Sequence, residues 1–171
     1  MIANNLTERT RVLLLNAIKS NIVQALADVR EDRNDPVVTT EPPKKYFTYD
    51  YAITYECPAI FCVVERLQTV NEQFKSNHVN AEVSVSVAAV VEETDGDRLV
   101  TKIERYQSAL FQILHEVVLE DKARGVKIYS TVDTCEFGPT FIKDQDKKMG
   151  RFRREAVLTL KVKHFENLTI T

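Results

Sequence analysis

The stretch NHVNAEVSVSVAAVVEE, Asn77 to Glu93, constrains this chain most. From Val79, apolar residues take every second position: Val79, Ala81, Val83, Val85, Val87, Ala89 and Val91. Successive side chains of a strand point to opposite faces, so these seven form one continuous apolar stripe. The run predicts a strand well beyond the usual length of roughly 5–6 residues. One face belongs to a core. The other carries Ser84, Ser86 and Ala88, small enough for a close neighbour.

The flanking segments predict what covers that stripe. Residues 5–30 lack Gly and Pro, and Leu14, Ala17, Ile18, Ile22, Ala25, Leu26 and Val29 recur at helical spacing. Asn5 before Glu8 resembles a capping box, which places the helix start there. REDRNDPVVTTEPPKK, 30–45, holds three of the five prolines and predicts an extended loop. YFTYDYAITYE alternates loosely, and PAIFCVVER is a continuous apolar run expected in a central strand or one buried on both faces. RLQTVNEQFKSN is a polar connection into the long strand.

ETDGDR then breaks the strand, with Gly96 at the turn. A second helix is expected from about Asp97, with Thr94 or Asp95 as N-cap. Leu99, Ile103, Tyr106, Leu110, Ile113, Leu114 and Val117 lie on its apolar face, and Gly125 is its expected stop. VKIYSTVDTCEF, 126–137, and the alternating run at 151–165 read as strands of a long hairpin. A basic hairpin loop at about 138–152 joins them.

Helices with one apolar stripe each are best buried on one face of a sheet. The expected fold is α+β: a two-layer sandwich, with a mixed or antiparallel sheet and two main helices packed on one face. The chain has 171 residues, of which 44% are hydrophobic and 28% charged. That suits a single domain over 1–171. A net charge of -2 excludes a surface that is wholly a nucleic-acid footprint. The absence of an apolar run of about 18 residues and of a basic-then-apolar N-terminus predicts neither membrane association nor secretion.

No phosphate-binding glycine loop, metalloprotease motif or nucleophile elbow is present. Cys57, Cys62 and Cys135 form no CxxC pair, so disulfides and thiolate zinc are not expected. His78, His115 and His164 stand apart, without carboxylate or Cys at ligand spacing. The expectation is no enzyme, no cofactor and no metal. Charge is the one concentrated feature. Lys143, Lys147, Lys148, Arg151, Arg153 and Arg154 cluster in the basic loop, and Glu92, Glu93, Asp95 and Asp97 cluster where the long strand ends. By charge alone the acidic group reads as a solvated turn, and the basic loop as a solvated hairpin tip or a surface that meets something acidic, a neighbouring subunit or nucleic-acid phosphates.

The N-terminal helix LTERTRVLLLNAIKSNI, the Pro-rich stretch, YECPAIFCVVE, the long Val/Ser strand, ERYQSALFQIL and the final hairpin occur in an order that resembles the tail terminator, or tail-completion, proteins of long-tailed bacteriophages. That resemblance implies a structural virion protein, made in the host cytoplasm, that forms a homo-oligomeric ring, commonly a hexamer. Such a ring caps the tail tube and joins it to a neck or head-completion protein at the tail–neck junction. It also implies a head-to-tail interface in which these acidic and basic groups are candidate complementary subunit-interface patches or channel lining, transient passage of DNA, and no catalytic residues. Two other readings stand beside it. One is a small cytoplasmic enzyme or ligand-binding domain built on Cys135, His164 and the tyrosines of 46–55. The other is a nucleic-acid-binding adaptor using the basic loop.

Overall fold

A computed structural model describes residues 2–35, 41–49, 56–69, 78–143 and 150–167. The elements run α1 (Ile2–Arg33), β1 (Lys45–Phe47), β2 (Ala59–Thr69), β3 (His78–Glu93), α2 (Gly96–Leu114), β4 (Val117–Asp121), β5 (Val126–Phe137), β6 (Phe141–Lys143) and β7 (Arg151–Asn167). Among the described residues, seven strands make one sheet in the order β1-β2-β3-β7-β5-β4, with β6 beside β7. The β1–β2 pair is parallel and the rest are antiparallel, so the sheet is mixed. The fold is α+β, with both helices on one sheet face.

The long strand forms as its alternation requires. Val83, Val85, Val87, Ala89 and Val91 are fully buried beneath α1 and α2. Leu158, Leu160 and Val162 of β7 join them, as do Ile60 and Cys62 of β2. Leu14, Ile18, Ile22 and Leu26 of α1 and Leu99, Ile103, Tyr106 and Leu110 of α2 close the core from above. Each buried aliphatic side chain contributes about 1.5–3 kcal/mol relative to exposure. The expected hairpin is present, with Val126 opposite Glu166 and Phe137 opposite Ala156.

Three boundaries differ from the sequence expectation. The first helix begins at Ile2, so Asn5 and Glu8 lie inside it and form no capping box. It ends at a Schellman motif: Asn34 has φ 53°, its N–H donates to Glu31 O, and Asp35 N–H donates to Arg30 O. Asparagine tolerates that left-handed conformation better than other side-chain-bearing residues.

The second helix stops at Leu114, not at Gly125. Val117 and Val118 are β-branched and suit a strand, so the chain turns through Glu116 (φ 53°) into β4. Gly125, at φ 65°, serves the β4–β5 turn. The start of α2 is as expected, with the Asp95 carboxylate accepting a hydrogen bond from Arg98 N–H at 2.9 Å.

Among the described residues the strand from Ala59 is second in from the sheet edge, not central, with β1 beyond it. The tyrosine-rich segment yields β1 alone among the described residues, and 50–55 lie outside them. The α1 stretch Leu6–Arg33 is long and apolar enough to cross a bilayer, but here Leu14, Ile18, Ile22 and Leu26 pack into the core while Val12 and Val23 are exposed.

Candidate functional site

Strand register decides where the two charged groups fall. Glu92 of β3 lies directly opposite Arg153 of β7. The Arg153 guanidinium donates to the Glu92 carboxylate from Nε at 2.7 Å, and its Nη2 makes a second contact. Arg151 Nη1 stands 3.9 Å from the same carboxylate. Glu93 accepts a 2.9 Å hydrogen bond from Lys102 Nζ, a buried ammonium of α2. Asp95 caps α2, and Asp97 occupies its first turn, where negative charge favours the helix dipole. Arg154 turns the other way, donating to Gly138 O at 3.0 Å with its guanidinium 5.4 Å from the Phe137 ring centroid. The acidic stretch and the basic segment therefore meet inside one chain at Glu92 and Arg153. Arg151 and Asp97 remain exposed. Lys143 lies in β6 opposite Arg151. Lys147 and Lys148 fall outside the described residues.

Lys102 also fastens the segment that follows α1. Its Nζ lies 3.2 Å from Glu41, whose other oxygen is 3.1 Å from Lys44 Nζ. Burial works to raise the Glu41 carboxyl, but Lys44 and Lys102 outweigh it and hold the pKa below the usual value. Tyr106 O–H donates to the Glu41 carbonyl, and Arg105 pairs with Asp35. Burial pushes the Tyr106 phenol far up, so it remains a donor.

A second polar cluster ties α1 to the far end of β7. His164 is fully buried. Its Nε2 lies 3.2 Å from Glu166 and its Nδ1 2.9 Å from Thr10 Oγ1, while Arg9 pairs with Glu166. A carboxylate only accepts, so Nε2 carries the proton and Thr10 O–H donates to Nδ1. Burial and the Arg9 charge push the imidazole pKa down to about 4, so the ring is neutral.

The residues considered for catalysis are not brought together. Cys135 lies opposite Leu158, and His164 lies opposite Ile128, so six positions of β7 separate them. At the strand rise that is roughly 20 Å. Burial raises the Cys135 thiol, the reverse of activation, despite a hydrogen bond from Gln107. Cys62 is pushed up to about 12 by its buried position. Among the described residues no three His, Cys, Asp or Glu side chains cluster as metal ligands.

The sheet face opposite the helices is the remaining surface of note. Ser84, Ser86 and Ala88 of β3 stand there, opposite Lys161, Thr159 and Val157 of β7. Near its β1 end Phe47 stacks on Phe61 at 4.8 Å, beside buried Ala59 and Val90. Next to that cluster runs an open groove of about 230 Å3, floored by Val63, Ala88, Val90 and Val157 and rimmed by Glu65 and Glu155. Glu65 stands on this face by strand alternation with Phe61 and Val63, and the β2–β3 register shift falls at its position, between Val64 and Arg66. At the β6–β7 end, Phe141 and Ile142 are 57% and 54% exposed. The alternation of the last strand already placed Glu155 on the face away from the core. Nothing in the sequence marked the bulge at Glu65 or the short strand β6.

A solved structure, the virion of a native gene transfer agent particle, contains a chain that aligns with this one at 11% identity and a TM-score of 0.35, covering 88% of this chain and 97% of that chain. No family model matches the sequence. No curated protein matches it significantly.

Proposed function

We propose that this chain is a structural virion protein of a tailed phage-like particle, assembling as a homo-oligomeric ring. The ring caps the tail tube and joins it to the neck or head connector. The observation that carries this reading is the sheet face left bare by both helices. It is surfaced with small side chains at Ser84, Ser86 and Ala88 and crossed by an apolar groove. A face of that make-up suits protein against protein. The order of elements that resembles tail terminator proteins gives the assembly its kind. The chemistry of the chain is then that of fit: no bond is made or broken, and no cofactor is used.

Light scattering and negative-stain microscopy of the purified chain, alone and mixed with tail tubes, test the reading. A ring, either free or seated on tube ends, is expected. A chain that stays monomeric at every concentration and ignores tube ends overturns it.

A further inference from the structure

We propose that two copies of this chain join edge to edge through β4, paired antiparallel about a two-fold axis at Leu119. Among the described residues β4 is the last strand on its side of the sheet. In an antiparallel ladder every second residue turns its N–H and C=O away from the strand it pairs with, so an edge is a template for another strand. β4 has no proline, lysine or bulge to guard it: its ladder to β5 runs unbroken from Val117 opposite Ser130 to Asp121 opposite Val126. Val117 and Leu119 turn towards the helices, and Val118, 48% exposed, towards the other face. Charge selects both the occupant and the register. A slip of one residue sets inward side chains against outward ones. Centring on Val118 puts Glu116 opposite Glu120, and centring on Glu120 puts that carboxylate opposite its own copy; like charges directly opposed destabilise a strand pair. Centring on Leu119 instead puts Glu116 opposite Lys122 at both ends, with Leu119 beside its copy. Both charges are available: Lys122 is exposed and has no carboxylate partner among the described residues, and the Glu116 side chain is 68% exposed with the His115 ring no nearer than 3.9 Å. The trough between β4 and α1 fits the same axis. One end of it carries Lys122 and Arg124 and the other Asp28 and Gln112, and the two-fold lays the first end of one copy beside the second end of the other. A nucleic acid or lipid surface offers no ladder to such an edge. Ring closure joins two different patches, whereas this contact joins the same patch on both copies, so it goes beyond the ring reading and stands or falls apart from it.

The test uses the full-length chain, its mass as a function of concentration, and hydrogen exchange of the β4 amides. A dimer is expected, with amides of Val117–Asp121 exchanging more slowly as the dimer fills. Glu116→Lys alone sets lysine against lysine twice, and Lys122→Glu alone sets glutamate against glutamate twice. Both positions are exposed, and circular dichroism verifies that each variant folds. Each is expected to raise the dimer dissociation constant by about tenfold. The double variant, Glu116→Lys with Lys122→Glu, is expected to regain the wild-type value, and a mixture of the two single variants to form the heterodimer in preference to either homodimer. A mass that shows dimers whose β4 amides exchange as fast as in the monomer overturns the contact, as do single variants that dimerise like the wild type. If the chain forms rings, free or on tube ends, with no β4-paired species at any concentration, this contact is wrong while the ring reading stands. If the wild-type chain never self-associates, with or without tubes, both fall.

Discussion

Glu92 and Arg153 face each other across the central β3–β7 pair and join as an ion pair, with the Glu92 side chain 7% exposed. Removing one partner of such a pair costs more than the pair itself contributes, because the other charge is left desolvated. Arg153→Ala is expected to lower stability by about 1–3 kcal/mol in urea unfolding. Arg151 remains close enough to offset part of the loss. The double variant Glu92→Ala with Arg153→Ala should be less destabilised than the sum of the singles, by about 0.5–3 kcal/mol.

His164 gives the fold a signature in pH. Burial and the Arg9 charge push its folded pKa down to about 4, below the usual imidazole value of 6.5. Between those values the unfolded chain binds a proton that the folded chain refuses, so stability rises with pH across that window. Stability is expected to be level in this respect above pH 6.5 and to fall as pH drops towards 4. The slope approaches about 1.4 kcal/mol per pH unit. Urea midpoints at several pH values check this, and His164→Gln should flatten the slope. An unchanged slope would mean that burial and the Arg9 charge do not hold the ring neutral.

Lys102 is a buried ammonium with two carboxylate partners, and it pins Glu41 to α2. Lys102→Met keeps the aliphatic stem but deprives Glu93 of its donor. A loss of about 1–3 kcal/mol is expected. Backbone amides of the 41–47 segment should exchange faster than in the wild type, with little change at the core strands. Uniform acceleration throughout would show that Lys102 holds no particular segment.

Two substitutions separate capping from packing. Asp95→Ala removes the side chain that accepts from Arg98 N–H and should cost about 1 kcal/mol. Leu110→Ala opens a void under α2 where Leu110 is fully buried and should cost about 2–5 kcal/mol. Chemical denaturation of both variants is expected to keep this order.

Periodicity made the layers of this fold legible. Val83 to Val91 and Ala156 to Val162 each declare one buried face, and the α2 stripe from Leu99 to Leu114 declares another. Boundaries failed where one residue fits two patterns. Val117 continues the α2 stripe and also begins β4, and only the turn at Glu116 decides between them. Gly125 suits a helix stop as well as a hairpin turn. Charge was legible as composition but not as pairing. Glu92 and Arg153 stand 61 positions apart, and strand register, which no local pattern states, makes them neighbours. The groove was hidden for the same reason, since its lining comes from β2, β3 and β7, which only register brings side by side.

The position of β7 has a consequence for synthesis. This strand, Arg151–Asn167, is inserted between β3 and β5 in the middle of the sheet. A ribosome must therefore deliver nearly all of these residues before the two halves can zip together, because everything made earlier lacks its central plank. Products that end before Arg151 would fail to collapse into this shape.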